Sequence, residues 1–207
     1  MRIKPIESKV NVVLIGNFNP NIFSPHWFMS NGVIEEEDNV DSVSPALGIV
    51  GFELSWLSVF VQQNRFVAEL EQPPEVRLSD FVQKTFGELL KYTPIWACGI
   101  NKTAHVGTSL APPGVWGDWT DGTNEGEMVS LSRRQTITDG RPGGYIQTRV
   151  GPSDRSDSAV FIEVNDHYEM KKNVDGCLEI MALLSENFDH SIKKSEQIIN
   201  QVMGIVR

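Results

Sequence analysis

The sequence has little that would brace or anchor it from outside its own core. Cys98 and Cys177 are the two cysteines in 207 residues, too few for a disulfide framework and in no CxxC spacing. Both stand in apolar stretches and read as buried free thiols of a reducing compartment. No apolar run approaches the roughly 20 residues of a membrane-spanning helix. The opening Met1-Arg2-Ile3-Lys4-Pro5-Ile6-Glu7 lacks the apolar stretch and cleavage site of a signal peptide. These absences point to a cytoplasmic chain without a membrane segment. Positive charge is also short: 18 Lys and Arg stand against 27 Asp and Glu, a net charge of −9. Such a field repels phosphate backbones and argues against a nucleic-acid partner.

Recognisable reaction chemistry is equally sparse. The four histidines, His26, His105, His167 and His190, are never within metal-ligand spacing of one another or of a cysteine, so no metal site is expected. The GxSxG, GxGxxG and GxxxxGK[ST] patterns are missing, which removes the usual nucleophile elbow and phosphate cradles and leaves no cofactor to expect.

What is present is a chain that can fold throughout. It is 40% hydrophobic and 22% charged, enough apolar surface to offset the entropy of ordering. The length suits one domain over 1–207, with sub-units 1–106 and 128–207 joined by a loop rich in Trp, Gly and Asp. Val10–Ile15 is a β-branched run that suits a central strand. Ser24-Pro25 offers an N-cap and first-turn proline for a brief helix through Met29. The stretch from Leu47 to Val61 and then Phe66–Leu70, split by Gln62-Gln63-Asn64-Arg65, predicts a hairpin with a bulge near Ser55. After Pro73-Pro74, Ser79 is the expected cap of a helix carrying Val82, Phe86, Leu89 and Leu90. Ile95–Val106, Met128–Gln135, Gly144–Val150 and Ala159–Val164 read as further strands, the last three as a meander. Leu178, Met181, Leu184, Phe188, Ile192, Ile199 and Val202 form the apolar stripe of one long C-terminal helix. The class is α+β: a ferredoxin-like β-α-β-β-α-β unit extended by an antiparallel β-β-β meander and that helix.

Three groups of residues are candidates for function. Asn17, Asn19 and His26 follow the central strand, and Asp166-His167 stands at the expected end of another, so the five are a candidate cleft if the sheet ends coincide. Trp116 and Trp119 lie in a Gly/Asp loop, where large apolar rings need a surface to cover; a partner is one such surface. Arg133, Arg134 and Arg149 concentrate positive charge in the second sheet segment and are candidates for an anion or RNA.

The element order, with Cys98-Gly99-Ile100-Asn101 and the passage from Phe161-Ile162-Glu163-Val164-Asn165-Asp166 into a long helix, resembles a sporadically distributed, uncharacterised family of bacterial proteins. The resemblance implies a bacterial cytosolic protein and carries over no catalytic residue. The expected function is a non-enzymatic interaction or regulatory subunit that meets a protein partner or forms a homo-oligomer. The alternatives are an enzyme or small-ligand domain using the candidate cleft, and a ferredoxin-like RNA binder.

Overall fold

A computed structural model describes residues 5–35, 40, 48–107, 130–137, 143–156, 159–170 and 176–205. Eight strands carry the fold: β1 (Glu7–Gly16), β2 (Val50–Glu53), β3 (Leu57–Gln62), β4 (Arg65–Leu70), β5 (Ile95–Gly107), β6 (Leu131–Thr136), β7 (Gly144–Pro152) and β8 (Ala159–Glu169). They form a single antiparallel sheet in the order β2-β3-β4-β1-β5-β8-β7-β6. The helices are α1 (Pro25–Ser30), α2 (Val76–Val82, continued as a π-helical segment over Gln83–Leu89) and α3 (Leu178–Ile205). The architecture is therefore α+β with a C-terminal helix, and the sheet is larger than the unit read from the sequence.

Alternation along β1 sets the two faces. Val10, Val12 and Leu14 are buried on one, while Lys9, Asn11, Val13 and Ile15 are half-buried on the other. The register extends this division: Leu70, Ala68 and Phe66 of β4 and Lys102, Ile100 and Cys98 of β5 share the face of Val10, Val12 and Leu14. The three described helices lie on that face. Phe18, Phe23, Phe28, Phe66, Phe81 and Phe86 mesh there with α1, α2 and the N-terminal half of α3, with Phe66 and Phe86 edge to face at 4.9 Å. A second apolar cluster joins Ala104, Val106, Ile146, Val150, Val160, Ile162 and Val164 to Ile199, Val202 and Met203 of the C-terminal half of α3. One helix thus covers both clusters.

Four local expectations change. The bulge near Ser55 is a tight turn in which the Leu54 amide donates to the Leu57 carbonyl, so β2 and β3 are separate strands. Ser79 sits inside α2 and does not cap it; the helix starts earlier, where Arg77 and Leu78 donate to the carbonyls of Pro74 and Glu75. β8 runs five residues past Val164, because Asn165–Glu169 keep pairing with β5 and Asn165–Tyr168 with β7. Leu178 opens α3 but is 54% exposed, and Cys177 and Ile180 take its place in the core. Gly16, the last residue of β1, leaves room for the Pro94 carbonyl, into which a Cβ there would run.

Candidate functional site

Asp166 and His167 are neighbours in the chain and opposites in space. Both lie within β8, so the alternation of a strand sends Asp166 to the helical face and His167 to the open one. Asp166 is 1% exposed, and its Oδ2 accepts from Ser191 Oγ of α3 at 2.6 Å and from Tyr168 OH at 3.1 Å. Tyr168 OH and Ser191 Oγ are themselves 2.9 Å apart. This is a polar knot that ties β8 to α3. On the other side, His167 stacks on Tyr145 with 4.6 Å between ring centroids, and the Arg134 guanidinium lies 3.9 Å from the centre of the same Tyr145 ring. Burial holds the His167 imidazole below its usual pKa, against the pull of Glu169, whose carboxylate is 4.0 Å from Nε2.

The other members of the candidate cleft are placed elsewhere. The Asn17 amide donates to the Pro94 carbonyl, and Asn19 accepts from the Asn21 amide to cap a short turn. Asn19 lines an open cavity of about 730 Å³ with Phe18, Pro20, Gly48, Ile49 and the Gln62–Asn64 turn. His26 is exposed on α1, with Nε2 3.5 Å from Ser30 Oγ. Phe18, Phe23 and Phe28, between these polar residues, are buried in the aromatic core. Trp116 and Trp119 lie outside the described residues.

The thiols are enclosed. Burial and the nearby Asp166 carboxylate push the Cys98 thiol well above its ordinary range, and burial pushes Cys177 up to about 11. Neither is placed to act as a nucleophile. Among the described residues, no three His, Cys, Asp or Glu side chains gather as a metal-ligand set.

No family model and no curated protein matches this chain. Two places stand out in the geometry.

The first is the open face of the sheet, over which no described helix lies. One register row crosses all eight strands there: Glu53, Ser58, Glu69, Asn11, Asn101, Asn165, Gln147 and Arg134. Hydrogen bonds link neighbours along it. Asn11 Nδ2 donates to Glu69 at 3.2 Å, Asn101 Nδ2 to Asn11 Oδ1 at 2.7 Å, and Arg134 to Gln147 Oε1 at 3.1 Å. In the middle, Asn165 Oδ1 is buried with no hydrogen-bond partner, facing the space that Gly99 leaves by having no side chain. Arg149 joins this face beside Phe161 and Glu163, whereas Arg133 pairs with Thr148 and belongs to the opposite face. The three candidate arginines therefore do not make one patch.

The second place is a cavity of about 380 Å³ on the helical face, where the two apolar clusters meet. Lys102 of β5 points into it and has a side chain only 9% exposed. Its ammonium donates to Glu196 of α3 at 2.7 Å and lies 3.7 Å from Glu75. Lys102 was not among the sequence candidates, and of the open face only Arg134, Arg149 and His167 were. The signal for Lys102 is a lone lysine in the alternating set Cys98, Ile100, Lys102, Ala104 and Val106, where every other member is apolar. The signal for the open face is three asparagines, Asn11, Asn101 and Asn165, each inside a strand that disfavours them.

Proposed function

We propose that this chain is a non-enzymatic interaction module that pairs with a second copy of itself through the open face of its sheet. The observation that carries this reading is the charge order along the register row, acidic at Glu53 and Glu69, neutral through the asparagines, basic at Arg134. A twofold axis running along the strands between Asn11 and Asn101 sets Glu53 of one copy over Arg134 of the other and Ser58 over Gln147. Each contact then occurs twice, as an isologous interface requires. Val13, Val67, Phe60, Phe161 and Tyr145 flank the row and contribute apolar area. Eight strands about 4.8 Å apart and some six residues long span roughly 700 Å² per copy, close to the ~800 Å² per partner of a stable interface.

Sedimentation velocity from low-micromolar to near-millimolar protein tests this reading. The expected result is a dimer whose dissociation constant rises with salt, because the paired charges are screened. A monomer throughout that range overturns the proposal and leaves the face to another occupant.

A ferredoxin-like unit within the larger sheet is part of the same reading. The run β3-β4-β1-β5, with α1 and α2 on one face, supports it, and β2 and β6–β8 are additions at its two sides.

A further inference from the structure

We infer that the Lys102 cavity binds a free α-amino acid with an apolar side chain. An ammonium carries three N–H donors. Lys102 uses one of them on Glu196, and Glu75 at 3.7 Å is beyond hydrogen-bond reach, so two donors of a nearly buried charge face the cavity with no hydrogen-bond acceptor among the described residues. A carboxylate is the acceptor that suits such donors best. The remaining charge in the lining is negative. Glu71 is engaged by Lys9 at 3.0 Å, while among the described residues the Glu75 carboxylate has the long approach to Lys102. A ligand that brought a carboxylate alone would meet repulsion from Glu75 and Glu196. A zwitterion does not: its carboxylate takes the two Lys102 donors and its ammonium takes Glu75.

The spacing narrows the class further. Lys102 and Glu75 are 3.7 Å apart, so the ligand's two charges must sit on adjacent carbons, as in an α-amino acid. A dipeptide separates them by several more bonds. Leu70, Ala104, Ile199 and Met203 form the apolar wall, and a volume of about 380 Å³ lies at the small end of ligand sites. Apolar side chains therefore fit better than charged ones. The cavity is on the helical face, opposite the row proposed for pairing, so the two readings stand or fall separately.

Isothermal titration calorimetry on the full chain tests the site, with L-leucine, L-methionine and L-phenylalanine as probes. At least one is expected to bind, while N-acetyl-leucine, leucinamide and Leu-Leu bind about tenfold more weakly or not at all, each having lost or displaced one charge. Lys102→Met is expected to weaken binding by about tenfold or more, and Glu75→Gln, at a more exposed position, repeats the test without disturbing the core. Absence of binding by all three amino acids at millimolar concentration overturns the inference. So does binding that N-acetylation or Glu75→Gln leaves unchanged.

Discussion

Phe23 touches Phe18, Trp27, Phe28, Phe66 and Phe86, with ring centroids 5.6 to 6.3 Å apart, and is fully buried among them. Truncating it removes the centre of the aromatic cluster and opens a void that neighbouring rings cannot close. Phe23→Ala should lower unfolding free energy by about 3–5 kcal/mol, read as a fall in the urea midpoint at unchanged slope. His167 makes a different kind of contribution. Its folded pKa is held down by burial, so the folded chain binds fewer protons than the unfolded chain once pH falls below about 6.5. The stability this group contributes is fully present above that value and is lost as pH falls towards the lower folded pKa. Urea titrations at stepped pH should show the loss in the native chain and a flatter profile in His167→Gln. Equal slopes for the two proteins would mean that other groups carry the effect.

At the scale of elements, each strand's neighbours decide how firmly it is held. β1, β5 and β8 are paired on both sides and covered by helices, whereas β6 has β7 as its one neighbour among the described strands and side chains exposed along most of its length. Native-state hydrogen exchange should find the slowest amides in Val10–Leu14, Cys98–Ala104 and Ile162–Asp166, and the fastest strand amides in β6. Faster exchange in β1 than in β6 would contradict the burial pattern. The same differences explain which elements are legible in the sequence. Val10–Ile15 announces a central strand because its β-branched side chains serve both faces, and the β3–β4 hairpin is marked by Gln63-Asn64 between apolar runs. The α3 stripe reads clearly from Met181 to Ile192, because every third or fourth residue meets the same core. The last part of β8 does not read as a strand. Its inward position at Asp166 is charged and its outward positions at Asn165, His167 and Glu169 are polar, so hydrophobic alternation vanishes while the backbone ladder continues. Ser191, on an element 25 residues away, makes that inward charge tolerable. Such a partner has no local trace, and for the same reason nothing near Lys102 in the chain foretells Glu75 or Glu196.

For the whole molecule, the distribution of charge matters more than its total. Charge is not spread evenly along the register row, where Glu53 and Glu69 lie to one side of the asparagines and Arg134 to the other. Pairing by this pattern can be inverted. Arg134→Glu alone should weaken association by setting like charges opposite each other, and Glu53→Arg combined with it should restore dimer at low salt, both read by sedimentation. Recovery in the double variant distinguishes a charge-matched pair from a merely exposed surface.

α3 carries a consequence of another sort. Its 28 residues cover both apolar clusters, yet they follow all the described strands. During synthesis the whole sheet is therefore made before its cover. At 5–20 residues per second, translating the helix takes roughly 1 to 6 s. Throughout that interval Ile100, Ile162, Val164 and their neighbours lack the surface that will bury them. Until α3 is made that face is at its most adhesive, and Asp166 and Lys102, polar residues set among those apolar neighbours, keep it from being uniformly greasy.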